Sequence, residues 1–106
     1  MSLHDAVLDF VTLNSERRLR ISFSEIPGRT AERLVIEVET FQCVVMLGVI
    51  EKDWFLSGVF CYLGDGTTVD PFLLKDTPLA RLVVLGTDGA SVEVMLGKAS
   101  ATIEPC

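Results

Sequence analysis

The chain's one histidine, His4, is followed directly by Asp5. A nucleophile–histidine–carboxylate relay needs the carboxylate on the far ring nitrogen and a nucleophile on the near one, and adjacency in the chain supplies neither. His4 lies near a terminus and is expected to be an exposed residue without a catalytic role. The three cysteines are Cys43, Cys61 and Cys106. They contain no C-x-x-C spacing, which removes thioredoxin-like and zinc-ribbon chemistry. A zinc site would need Cys43 and Cys61 to converge with ligands from elsewhere, so no metal is expected. The stretch Gly64-Asp65-Gly66-Thr67-Thr68 lacks both the lysine of a phosphate-binding loop and the third glycine of a dinucleotide fingerprint. No cofactor is expected either.

Asp65, Asp70 and Asp76 gather carboxylates in one stretch, and hard cations such as calcium take clustered oxygen ligands. The EF-hand spacing is absent, and a solvated acidic loop is the simpler expectation. Paired-carboxylate hydrolysis depends on a separation in space that sequence does not give. No nucleophile, base and orienting group can be assembled from spacing. The chain is therefore expected to be non-enzymatic, and no catalytic residue is assigned.

Charge narrows the partners. The chain carries 9 Lys and Arg against 15 Asp and Glu, a formal charge of −6. Nucleic acid and anionic membrane surfaces are disfavoured, because both are recognised through basic side chains. Arg17, Arg18, Arg20, Arg29 and Arg33 form a local basic segment. It reads as the wet face of a strand and its loops, neutralised by Asp9, Glu16, Glu25 and Glu32, in preference to an anion site.

At 106 residues the chain is expected to be a single domain spanning residues 1–106, large enough to bury a modest core. Hydrophobic residues make up 49%, which excludes a disordered tail. No apolar run reaches the ~18 residues of a membrane span, and Met1-Ser2-Leu3-His4-Asp5 has no secretory character. An odd number of widely spaced cysteines does not form a secreted disulfide framework, so a cytoplasmic setting is expected.

These side chains must be positioned by strands. Leu19, Ile21 and Phe23 alternate with Arg18, Arg20, Ser22 and Ser24, a period of two with one wet face. Leu34, Ile36 and Val38 repeat the pattern. Residues 41–50 and 54–63 are apolar on both faces, as in strands covered on both sides. Glu51-Lys52-Asp53 would join them as a hairpin that sets Cys43 directly opposite Cys61 as two buried thiols. Residues 67–78 look irregular, with room for one helical turn. Residues 79–86 and 90–96 flank Asp88-Gly89, a two-residue turn signal that would pair Leu85 with Val92 and Val84 with Glu93. A further strand over residues 99–104 would follow a break at Gly97-Lys98. At the N-terminus, Leu3, Ala6, Val7, Phe10 and Val11 sit at helical spacing. A strand through residues 6–13, turning at Asn14-Ser15, is preferred because it puts its apolar side chains with those of residues 19–23.

The fold expected is mainly β, an antiparallel sandwich or open barrel of six to eight strands, with at most a short N-terminal helix. Its dry middle segment demands a second cover. Soluble monomers rarely expose large apolar patches, so another subunit is the natural cover. The expected contact face is Val44, Met46, Ile50, Trp54, Leu56 and Phe60. The expected function is a protein-interaction module, acting as a homodimer or as a binder or inhibitor of a basic protein. A small-molecule-binding barrel with an apolar cavity lined from residues 41–63 is the alternative.

Overall fold

The alternation seen in the sequence folds into a single antiparallel sheet that closes on itself. The computed structural model describes residues 3–48 and 54–105. Its strands are β1 (Val7–Leu13), β2 (Leu19–Ser24), β3 (Glu32–Glu39), β4 (Cys43–Leu47), β5 (Trp54–Tyr62), β6 (Thr68–Val69), β7 (Thr77–Gly86) and β8 (Ser91–Pro105). A 3-10 turn at Pro71–Leu73 lies between β6 and β7. Six strands run in the order β1-β2-β3-β8-β7-β5, and β5 pairs back to β1, closing a barrel. The closing seam is short: Val7 opposes Phe55 and Leu8 opposes Trp54. Two backbone hydrogen bonds, Asp5 N–H to Leu56 C=O and Leu56 N–H to Ala6 C=O, extend it.

The N-terminal segment is the strand preferred above and not a helix. Leu8 opposes Phe23, Val11 opposes Ile21 and Leu13 opposes Leu19. A bulge between Leu8 and Phe10 brings Val11 and Leu13, instead of Phe10, into line with the apolar residues of β2. Leu19, Ile21 and Phe23 of β2 and Leu34, Ile36 and Val38 of β3 are buried as the period of two requires. With Leu56, Cys61, Leu82, Val84, Val92 and Val94 they form the core. A small closed barrel has an interior that side chains fill, and these do so.

Three registers differ from expectation. β4 and β5 are not paired with each other, and the expected loop at Glu51-Lys52-Asp53 lies outside the described residues: β4 pairs with the first part of β8, Cys43 opposing Met95 and Leu47 opposing Ser91. Cys61 instead opposes Leu82 on β7, so the two thiols are not cross-strand neighbours. The apolar run in β4 is thus a bent continuation of β3 along β8, redirected at Thr40, whose φ is +54°. Second, β7 and β8 join through a three-residue loop, with Leu85 opposing Ser91 and Val84 opposing Val92. Gly86 N–H donates to Ala90 C=O, and Gly89 alone in the loop has positive φ, +88°. That pattern is a three-residue hairpin loop ending in a left-handed glycine, one residue longer than the two-residue turn expected. Third, β8 runs unbroken through Gly97-Lys98. Its buried residues change from Val92 and Val94 to Ala99 across Leu96, whose φ of +51° reverses the faces.

Candidate functional site

The residues with chemical potential are committed to local structure. His4 Nδ1 lies 3.1 Å from Asp5, with both side chains more than half exposed. Among the described residues no three His, Cys, Asp or Glu side chains come together as a metal site. The acids of residues 65–76 build turns. Asp65 accepts from Thr67 N–H at 3.0 Å and from its hydroxyl at 2.6 Å, the hydroxyl bond being the main reason its carboxyl is held below its usual range. Asp70 accepts from Phe72 N–H at 2.9 Å and caps the 3-10 turn, and the Ser100 hydroxyl donates to Asp76 at 3.2 Å.

The basic segment is largely neutralised. Arg20 pairs with Glu37 and Glu104, Arg29 with Glu32, Arg18 with Glu39, and Arg33 approaches Asp9 at 3.9 Å. Asp9 is turned outward by the β1 bulge and also accepts from the hydroxyls of Ser22 and Ser24. These pairs lie at partly exposed sites, where each is worth no more than about 1 kcal/mol. Val35, on the outer face of β3 between Arg33 and Glu37, is buried.

The two described cysteines differ sharply. Cys61 is buried in the core, and desolvation, aided by the negative charge of Asp70, pushes its thiol up to about 12. A thiol so held is neutral and unreactive at physiological pH. Cys43 is exposed on β4.

The six residues of the expected contact face are divided between the two sides of the barrel wall. Trp54 and Leu56 are core residues. A bulge between Leu56 and Gly58 reverses the faces of β5, so that Val59 and Cys61 turn inward and Phe60 turns out. Ile50 lies outside the described residues. Val44 and Met46 do come together, on one face of β4. With Val11, Leu13 and Leu19 they line a hollow of about 310 Å³ at the end of the barrel, mostly apolar in character. Val11 and Leu13 were not among the residues singled out from sequence. Unbroken alternation aligned Ala6, Leu8 and Phe10 with β2 instead, and only the bulge between Leu8 and Phe10 brings Val11 and Leu13 into line with Leu19.

β4 is the unusual strand. It hydrogen-bonds to β8 on one side and, among the described residues, to no strand on the other. Val45, Met46 and Leu47 are 40%, 52% and 56% exposed, and Leu13 across the hollow is 59% exposed. The strand CVVML contains no charge and no proline. Edge strands usually carry lysine, proline or an inward charge to discourage pairing with other chains. A rim beside the hollow carries Glu16, Arg17, Arg18, Glu39, Thr40 and Phe41. Among the described residues no helix is long and apolar enough to cross a membrane. Comparisons with family models, with curated proteins and with solved structures gave no match.

Proposed function

We propose that this protein is a non-enzymatic protein-interaction module whose contact element is the free edge of β4 together with the apolar hollow beside it. The observation that carries this reading is an exposed, uncharged, proline-free edge strand. Among the described residues its outer backbone groups pair with no other strand, so they offer a template for an added strand, and its alternating side chains offer apolar contacts. Binding by strand addition draws affinity from main-chain hydrogen bonds and selectivity from the side-chain pockets along the edge. A second copy of the chain or a basic protein can occupy such an edge. The arginine–carboxylate pairs on β2, β3 and β8 neutralise much of the acidic surface there, which favours an apolar contact over a charge-driven one. Among the described residues Cys43 and Cys61 are free thiols, which fits a reducing, cytoplasmic setting.

The hollow also supports the alternative of a small-molecule site. Its volume falls at the low end of ligand pockets, about 300–1,000 Å³. It is open at the barrel's end, while the barrel axis is filled by core side chains, which favours a macromolecular contact. Light scattering on the full chain, with thermal shift in the presence of small apolar ligands, separates the two. The interaction reading expects a mass above that of the monomer, or added mass from a protein partner, and no ligand-induced stabilisation. A strictly monomeric chain stabilised by small ligands would replace it with the small-molecule reading.

A further inference from the structure

We infer that the strand seated on the free edge of β4 is β4 of a second copy, antiparallel to the first across a two-fold axis at Val45. The inference rests on the interaction reading above and names its occupant. A two-fold contact is self-complementary, so every residue meets its symmetry mate's surroundings. Centred on Val45, it sets Cys43 against Leu47 of the second copy, Val44 against Met46, and Val45 against itself. All these are apolar or thiol side chains. Matched residues also share a face. The exposed row Cys43, Val45 and Leu47 continues across the axis on one side, and the hollows flanked by Val44 and Met46 meet on the other.

Charge selects this occupant in two ways. A chain with formal charge −6 repels its own copy unless the contact excludes acidic side chains. Any charge at a two-fold axis faces its own like, and β4 has none. The ends of the edge carry charge of both signs, with Arg17 beside Glu16 and an ion-paired Arg18–Glu39 at one end and Asp88 at the other. At the Cys43 end, the Arg17 guanidinium lies 5.4 Å from the Phe41 ring centroid. Arg18 beside it is paired with Glu39. At the Leu47 end, the β7–β8 loop presents Asp88, which accepts from Trp54 and from Ala90 N–H. An antiparallel copy turns the Arg17 end of each chain toward the Asp88 end of the other, and a parallel one would not. The added strand also makes one sheet continuous through both barrels and leaves neither β4 edge open.

The test is sedimentation equilibrium of the full chain at micromolar concentration, with Val45→Glu, Val45→Lys and, as a control on the outer face of β5, Phe60→Lys. The wild type and F60K should be dimeric. V45E and V45K should each weaken the dimer by about tenfold or more, because like charges then face each other at the axis. An equimolar mixture of the two variants should recover the dimer. Circular dichroism checks folding, and Leu47→Lys replaces any variant that fails it. A dimer that withstands V45E, V45K and L47K overturns the inference but leaves the interaction reading standing. A monomeric wild type that binds a labelled Val-Thr repeat peptide, with loss of binding in V45E, does the same. A monomeric wild type that binds no such peptide overturns both.

Discussion

Gly86 of β7 packs directly against the Trp54 indole of β5, and replacing Gly86 with alanine tests that packing. A Cβ placed on Gly86 would coincide with the Cζ2, Cε2 and Nε1 atoms of the Trp54 indole. The indole is 7% exposed and donates from Nε1 to Asp88 at 3.1 Å. It can stay only if the strands separate, an overpacking cost of about 1–3 kcal/mol. It can leave only by exposing most of an aromatic side chain, ~150–250 Å² or about 4–6 kcal/mol as an upper bound. The protein takes the cheaper route, so Gly86→Ala should cost about 1–3 kcal/mol. At roughly 4 °C per kcal/mol for a domain of this length, that lowers Tm by about 4–12 °C. Trp54 is the only tryptophan, so its emission reports on this contact alone. Denaturant unfolding followed by emission should show the loss of stability and a red-shifted native spectrum. Trp54→Phe removes the atoms that the alanine would strike. By calorimetry, the double variant should then be more stable than the two single costs predict, by about 1 kcal/mol or more. Wild-type stability and emission in G86A, or strict additivity in the pair, would refute the packing.

The other expectations follow from single residues. Gly89 has φ +88° and open space, with nothing within 4 Å, where an added Cβ would stand, so only backbone strain opposes substitution there. Gly89→Ala should cost about 1 kcal/mol by thermal unfolding, with Gly89→Asn costing less because asparagine tolerates the left-handed region. In a Cys106→Ser background, Cys43 should react with an aromatic disulfide reagent at once and Cys61 only on unfolding, since burial raises its thiol to about 12. Two fast thiols would contradict the placement of β5. Asp88 is held below its ordinary range chiefly by the hydrogen bond from Ala90 N–H and then by that from Trp54. A depressed carboxyl contributes stability above its unfolded pKa, near 3.9, and loses it as pH falls through the lower folded value. Trp54 emission should therefore change in that acid window, and Asp88→Asn should blunt the change.

Much of the barrel was legible because period-two alternation is a local property. Leu19, Ile21 and Phe23, and Leu34, Ile36 and Val38, have one apolar face each, and no tertiary choice can place them otherwise. Where the structure departs from expectation, a single residue has reset the count. The extra residue in β5 between Leu56 and Gly58 sends Phe60 outward, dividing a contact face that assumed unbroken alternation. Leu96 does the same to β8. One added loop residue shifts the β7–β8 register and exchanges Val84's partner from Glu93 to Val92. Bulges and loop lengths are decided by how the sheet closes, so they leave little trace in a local window. The pairing of β4 was hidden for a different reason. Apolar runs close in sequence favour a hairpin, whereas β4 pairs across the barrel with β8, where Val92 and Val94 face Met46 and Val44. The surplus of apolar residues in 41–63 was readable. Its division into core residues on β5 and an exposed edge on β4 was not.

Amide hydrogen exchange, read strand by strand as a function of protein concentration, bears most directly on the claim that the β4 edge is the contact surface. The central strands β3 and β8 have partners on both sides and should show protection independent of concentration. Amides of residues 43–47 that face the free edge should exchange rapidly when the protein is dilute. They should become protected over the same concentration range in which the mass rises to that of a dimer. Association without added protection in β4, or exchange in β4 that is slow even at the lowest concentration, would contradict the account.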